Sequence, residues 1–253
     1  MTEALELLRL QVEWGADEAL DHVPPDRLQR KPSPRAPVTA PVLMAASGGG
    51  VASRAEVVAG SCGDLAGLRD ALLAFEGIEL KQTAGQLVLG DGPEDARLVF
   101  VIEAPSAEDD AEGRPLSGAR GEFFQAMLRS IGLAREEVRV ACLLPWRPPG
   151  GRPPSTVELG ACAPFLRAQL RLMRSLRFAV LMGATPARVL GGAEGRGWRG
   201  RWFEVAVEGR MPLPGLAMAA IDEIAGEAKA KAAAWADLLA LKRRLDGAPI
   251  TIA

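Results

Sequence analysis

The stretch that decides the fold is residues 98–106, LVFVIEAPS, where an unbroken apolar run ends at a carboxylate and a proline. Further apolar runs lie at 137–144 (EVRVACLL), 177–182 (RFAVLM) and 216–221 (LAMAAI), with a weaker strand pattern at 201–208. Helical patterns separate or follow them at 119–131, 156–175, 184–191 and 223–245. Short apolar strands that alternate with helices are typical of a parallel sheet covered on both faces. We therefore predict a three-layer α/β/α sandwich with a central, mainly parallel four-stranded sheet.

The N-terminal part differs in composition from this folded region. Residues 1–22 carry apolar side chains at helical spacing and predict a helical segment. Residues 23–60 are rich in Pro, Ala, Ser and Gly, which is typical of a flexible linker. The predicted folded domain spans 61–247, and Asp64 is the expected N-cap of its first helix.

Composition and charge exclude several classes of protein. No apolar run approaches the roughly 20 residues that span a bilayer, and the N-terminus lacks the pattern of a signal peptide. We therefore expect a cytoplasmic protein without a membrane partner. The single histidine, His22, precedes the folded domain, which is thereby predicted to have no imidazole for acid–base chemistry. A net charge of -2 argues against tight binding of duplex DNA, although local arginine clusters leave a small contact patch open.

The ends of the strands carry the chemically informative residues. In parallel α/β sheets, ligands bind outside the carboxyl ends of the strands, which places a site at the loops after Glu103, Leu144 and Ile221. These loops and the last helix contain IEAPS at 102–106, GRPLSG at 113–118, CLLPWRPPG at 142–150, RGRWF at 199–203 and AWADLL at 234–239. In this order and spacing, the segments resemble the family 4 uracil-DNA glycosylases over roughly residues 64–245.

The resemblance implies a protein that flips uracil out of DNA into a pocket at the strand ends. Such a pocket stacks on the base, reads its edge and stabilises the negative charge that develops as the bond breaks. Glu103 is the implied catalytic carboxylate, with an ordinary loop or helix-cap acceptor as the alternative interpretation. The implied base pocket comprises Ile102, Ala104, Pro105, Ser106, Leu116, Cys142 and Ala220.

Several of these residues depart from the family pattern. Ile102 and Ser106 occupy positions where the family has glycine. Leu116 stands at the position of the stacking aromatic, Cys142 at that of the uracil-reading asparagine, and Ala220 at that of the histidine. A thiol is a weak donor, and a methyl group donates no hydrogen bond to a leaving base. We therefore expect weak or no excision of uracil.

The resemblance also has implications for contacts with DNA and for a cofactor. Contacts to the DNA backbone are predicted at Arg114, Ser117, Gly118, Arg120, Arg147 and Arg199, with a solvated surface on which arginine stems pack against tryptophan as the alternative. The family's iron–sulfur ligand positions correspond to Ile78, Lys81, Trp146 and Cys162. Because one thiolate of four cannot hold such a cluster, we predict that it is absent.

Three functions stay open. The first is a glycosylase-like protein of DNA repair that binds single- or double-stranded DNA with little or no excision. The second is an active DNA glycosylase that relies on Glu103, removing uracil or another base. The third is a non-enzymatic interaction module that docks a protein partner through residues 1–22.

Overall fold

The computed structural model describes residues 45–193, 195 and 197–247. Its helices are α1 (Ala45–Ser61), α2 (Leu65–Ala74), α3 (Ala107–Glu112), α4 (Gly118–Ser130), α5 (Thr156–Leu172), α6 (Ala184–Gly191), α7 (Ile221–Gly226) and α8 (Ala228–Leu245). Its strands are β1 (Gly90–Asp91), β2 (Leu98–Ile102), β3 (Val138–Cys142), β4 (Phe178–Met182), β5 (Trp202–Val205) and β6 (Leu213–Met218). None of the helices in this part of the chain combines the length and apolar character that crossing a membrane requires. The predicted segment 1–22 and linker residues 23–44 lie outside the described residues.

The described strands form one sheet in the order β1-β3-β2-β4-β6-β5. The four central strands run parallel, which confirms the predicted parallel sheet. β1 and β5 add antiparallel edges; β5 falls within the weak strand pattern at 201–208, whereas β1 was not predicted because two residues carry no periodicity. Parallel pairing brings the carboxyl ends of the central strands to one edge, as the paired residues Ile102 with Cys142 and Met182 with Met218 show.

Two apolar clusters cover the opposite faces of the sheet and confirm the three-layer arrangement. On one face, α1, α2, α5 and α6 contribute side chains such as Leu68 and Phe165. On the other face, α4, α7 and α8 contribute side chains such as Phe124 and Leu238. Phe124 meets Phe100 of β2 edge to face, with ring centroids 4.9 Å apart. All five residues of β2 are buried, as expected for a strand between two helical layers.

Helix α1 differs from the flexible linker that the composition predicted over 23–60. From residue 45 onward this stretch is helical. Its glycines make a helix unfavourable by up to about 1 kcal/mol each relative to alanine. Ala55 and Ala59, however, are 0% and 2% exposed in the apolar cluster. Packing of small side chains against the core thus overrides the local preference.

The C-terminal end of α1 is held by a side chain that is distant in sequence. Arg171 of α5 donates from Nη2 to the carbonyl oxygens of Ala59, Gly60 and Cys62, at 3.3, 3.1 and 3.1 Å. The last carbonyl groups of a helix lack partners within the helix, so a guanidinium group there satisfies them. No pattern within 45–61 predicts this contact.

Two predicted helix boundaries can be compared with the structure. Asp64 caps α2 as predicted, accepting a hydrogen bond from Gly67 N at 2.7 Å. The helix predicted over 223–245 is divided into α7 and α8, because Glu227 adopts an extended conformation. The break lets α7 begin directly after the last parallel strand, at the edge where ligands bind in such folds.

Candidate active-site cleft

A cleft of about 320 Å³ opens at the carboxyl ends of β2, β4 and β6. It lies where the sheet topology predicts a ligand site. Its lining residues are Ile102, Glu103, Ala104, Pro105, Ser106, Arg120, Pro148, Gly151, Arg152, Met182, Gly183, Ala184, Ala220, Ile221 and Asp222. Seven of the residues predicted from the sequence are among them: Ile102, Glu103, Ala104, Pro105, Ser106, Arg120 and Ala220.

Glu103 lies directly after β2 and is partly exposed to the cleft. Its backbone carbonyl accepts a hydrogen bond from Leu144 N at 2.8 Å, which fixes the main chain at the strand end. Within the described residues, the Glu103 carboxylate has no hydrogen bond or ion pair with another side chain. This carboxylate is therefore available to a ligand or a water molecule in the cleft.

Asp109 organises the loop that carries Glu103, although it was not predicted as a site residue. This carboxylate is 0% exposed. It forms a capping box with Ser106 at the start of α3, with Ser106 N donating to Asp109 Oδ2 at 3.0 Å and Asp109 N donating to Ser106 Oγ at 3.1 Å. Ser117 N donates to Asp109 Oδ1 at 2.7 Å. The spacing Ser-x-x-Asp at 106–109 is a recognisable capping-box signal that would have predicted the short helix α3.

Arg120 connects Asp109 to the opposite wall of the cleft. Its Nη1 donates to Asp109 Oδ2 at 3.0 Å. On its other side, Nε lies 2.9 Å from Asp222 Oδ1 and Nη2 donates to Asp222 Oδ2 at 3.1 Å. The guanidinium group thus bridges the buried start of α3 and the exposed start of α7.

The second arginine of the cleft has a fixed partner. Arg152 donates from Nη1 and Nη2 to the two carboxylate oxygens of Glu158, at 2.9 and 2.5 Å. Glu158 also forms a capping box with Ser155 at the start of α5. The hydrogen bonds from Arg152 lower the pKa of Glu158 to about 2.

Leu116 and Cys142, which were predicted to contact the base, are not among the residues that line this cleft. Cys142 is 1% exposed at the end of β3, and burial together with the Asp109 carboxylate raises the pKa of its thiol. Leu116 is 6% exposed and has a φ of 56°, in the left-handed region. Its carbonyl oxygen lies so close to α4 that a Cβ on Gly121 would approach it to 2.1 Å. Leu116 is therefore held by a backbone contact with α4.

We expect the three thiols to differ in reactivity. Cys142 and Cys162 are 1% exposed, and burial raises the pKa of the Cys162 thiol to about 12. Cys62 is only partly buried. At pH 8, iodoacetamide should label Cys62 alone in the native protein and all three thiols in denaturant, because the thiolate is the reactive form. Peptide mass spectrometry measures the alkylation of each cysteine. Labelling of Cys142 in the native protein would contradict its burial.

The residues predicted to contact the DNA backbone are divided among several places. Arg120 lines the cleft, whereas Arg114, Ser117 and Gly118 line a second cavity of about 560 Å³ that shares no lining residue with it. In this cavity the carboxylates of Asp91, Glu112, Glu122 and Glu136 outnumber the guanidinium groups of Arg114 and Arg135. Both arginines are paired, Arg114 with Glu112 and Arg135 with Asp91. A phosphate path through this cavity stays a prediction that its acidic lining does not favour.

Arg147 and Arg199 lie in loops. Arg147 is half-buried and, within the described residues, has no hydrogen bond or ion pair. Arg199 is exposed, pairs with Glu223 and lies 5.3 Å from the Trp198 ring centroid. The Arg199 guanidinium group thus has a carboxylate and an aromatic ring as neighbours, and a DNA contact at Arg199 stays a prediction.

The four positions predicted for cluster ligands do not fit an iron–sulfur cluster. Ile78, Trp146 and Cys162 are 4%, 3% and 1% exposed and belong to one apolar cluster. Lys81 Nζ lies 5.9 Å from the Trp146 ring centroid and donates to the Phe75 carbonyl oxygen at 3.0 Å. The donor set thus contains one thiol among apolar, aromatic and cationic groups, whereas a cluster is held by several thiolates.

Known proteins are similar to this chain over the region that forms the sheet and the cleft. A family model described as the uracil DNA glycosylase superfamily matches residues 89–239. A type-4 uracil-DNA glycosylase of Archaeoglobus fulgidus is 42% identical over 96 residues, which cover 38% of this chain and 48% of the relative. One from Thermotoga maritima is 39% identical over 99 residues, covering 39% and 51%. One from Pyrobaculum aerophilum is 30% identical over 156 residues, covering 57% and 79%. The chain thus spans about half the length of the first two relatives.

Proposed function

Because the chain belongs to the uracil DNA glycosylase superfamily and is similar to its type-4 members, we propose that it binds DNA in base-excision repair and releases uracil weakly or not at all. The relatives are type-4 uracil-DNA glycosylases by name, which supports a role with uracil in DNA. For this chain, the activity that these names describe is only proposed.

The lining of the cleft carries this proposal. Of the described residues that line it, none has an aromatic ring, an amide or an imidazole in its side chain. Ala220 offers a methyl group, and the two arginines are each paired with a carboxylate. A site without a donor–acceptor pair for the uracil edge loses much of its discrimination, because the amide that reads the base is what rejects other bases. The cleft therefore has room for a ligand but few groups to read or stabilise a departing uracil.

An active glycosylase is the second candidate, and the Glu103 carboxylate favours it. In such a reaction, water would transfer a proton to Glu103 while its oxygen bonds to C1′ of the sugar. The C1′–N bond would break, with its electron pair leaving on the base. The partly exposed Glu103 carboxylate, which has no side-chain partner among the described residues, meets the requirement that a general base reaches a bound water.

An excision assay separates the two candidates. We expect purified protein to release uracil from single- and double-stranded DNA at a rate close to the background without protein. Efficient release that falls about 10²- to 10⁴-fold in Glu103→Gln would instead support the active enzyme, since positioned general bases contribute that much. Glu204→Gln, which alters an exposed carboxylate on β5, is the matched control. Efficient release by both variants would contradict both candidates.

We also propose that the chain functions without an iron–sulfur cluster, on the basis of the packed residues at the four ligand positions. Docking of a protein partner through residues 1–22 stays a prediction, because this segment lies outside the described residues.

A further inference from the structure

We infer that the outer side of the Arg120 guanidinium group is a phosphodiester-binding subsite at the mouth of the cleft, which Asp222 covers in this structure. The inference rests on the proposed binding of DNA. It adds that Arg120 contacts a phosphate group and that Asp222 competes with this phosphate for Arg120. Asp109 acts as a positioning residue, since it fixes the guanidinium group from the inner side.

The contact of Arg120 with Asp109, on its inner side, is expected to persist when a ligand binds. Asp109 is 0% exposed, and its oxygens accept hydrogen bonds from Ser106 N, Ser117 N and Arg120 Nη1. Removing Arg120 from this buried carboxylate would leave a charge without its partner in a region closed to water, which is strongly unfavourable. Arg120 therefore keeps its place when other groups in the cleft change.

On the outer side of Arg120, a phosphate group can replace the carboxylate of Asp222. Asp222 approaches it with both oxygens, at 2.9 Å from Nε and 3.1 Å from Nη2. The Asp222 side chain is 68% exposed, and exposed ion pairs contribute little because water and salt screen them. Nη2 donates a hydrogen bond to Asp222, whereas Nε is within ion-pair distance only, and phosphate oxygens can take the same place because a guanidinium group binds carboxylate and phosphate alike. The Asp222 carboxylate thus occupies the position that a phosphate group would take.

The position of this subsite indicates backbone phosphate and not the departing base. Arg120 and Asp222 both line the cleft with Glu103, so a nucleotide in the cleft would place a neighbouring phosphate within reach. The Asp222 side chain that covers Arg120 is 68% exposed, so a group that replaces it would lie towards solvent, whereas a base anion would form in the interior of the cleft. Arg152, the other arginine of the cleft, is held by a Glu158 side chain that is 11% exposed and offers no comparable exchange.

Removing the competing charge tests the subsite. We expect Asp222→Asn to bind a short single-stranded oligonucleotide about two- to fivefold more tightly than the wild type at low salt, because a weak exposed ion pair covers the site for part of the time and reduces the apparent affinity by the uncovered fraction. Fluorescence anisotropy measures the dissociation constant, and the gain should shrink as salt rises. The double variant Asp222→Asn with Arg120→Ala should lose the gain. Circular dichroism verifies that each variant is folded.

A neighbouring carboxylate supplies the matched control. Glu227→Gln removes the same charge directly after the same helix, and the exposed Glu227 side chain has no ion pair within the described residues. An equal gain in Glu227→Gln, or no gain in Asp222→Asn while the wild type binds DNA, would overturn the subsite and leave the proposed function intact. A lack of binding by every variant would overturn the proposed function and the subsite together.

Discussion

Replacing Asp109 with alanine should lower the free energy of unfolding by about 3–5 kcal/mol, the range for removing one partner of a buried ion pair. The carboxylate is fully buried and accepts hydrogen bonds from two backbone N–H groups and from Arg120. Alanine would leave these donors without an acceptor and the guanidinium group without its inner partner. Urea denaturation followed by circular dichroism measures the change.

The adjacent Asp110 is the matched control. It accepts hydrogen bonds from Gly85 N and Gln86 N, so the two aspartates are similar in their backbone contacts. The donors at Gly85 and Gln86 are exposed, and water replaces the lost acceptor there. We therefore expect Asp110→Ala to cost about 1 kcal/mol, the usual net value of a hydrogen bond. Equal losses in the two variants would show that burial of Asp109 is not what makes it important.

Replacing Trp146 with alanine is expected to cost about 3–5 kcal/mol, as for other large aromatic side chains removed from a core. Its side chain is 3% exposed and packs in the apolar cluster that contains Ile78 and Cys162. The Lys81 ammonium group above the ring adds a cation–π contact that would also be lost. The variant would leave a cavity in the layer that connects the loop after β3 to the helices of this face.

Trp235→Ala is the matched control, because this tryptophan of α8 is 46% exposed and should change stability by less than about 1 kcal/mol. Iron content is measured on the same preparations. If Trp146 and its neighbours fill the space that a cluster would need, the wild type should contain no stoichiometric iron. It should also show no visible charge-transfer absorption. Stoichiometric iron in the wild type would overturn the proposal that the chain works without a cluster.

The central strands were predictable because each is a short apolar run between helical patterns. β2, β3, β4 and β6 begin and end within three residues of the predicted bounds, and their parallel pairing follows from the alternation with helices. β1 was not predictable, since two residues give no pattern. Helix α1 was predicted as linker because its glycines and alanines lack a strong apolar stripe, and only its packing against the core explains it.

The candidate site was predictable in its location and in only part of its lining. The loop 102–106 lies at the cleft because it follows a parallel strand, as the sequence indicated. Leu116 and Cys142 were assigned to the base pocket by correspondence with a family pattern; both are buried and neither is among the lining residues of the cleft, so their contact with a base stays a prediction. Asp109 was missed as a site residue because its importance comes from partners eight and eleven positions away, Ser117 and Arg120.

The sequence by itself determined the four parallel strands and the helices between them, the end of the sheet at which the cleft lies, and the presence of Glu103 there. These depend on local apolar periodicity and on the rule that parallel strands end on one side. Only the tertiary structure decided how the charges of the cleft are shared, with Arg120 held between a buried Asp109 and an exposed Asp222 that lies 102 residues further along the chain. The strength of each pair depends on burial, and burial is a property of how distant elements pack together.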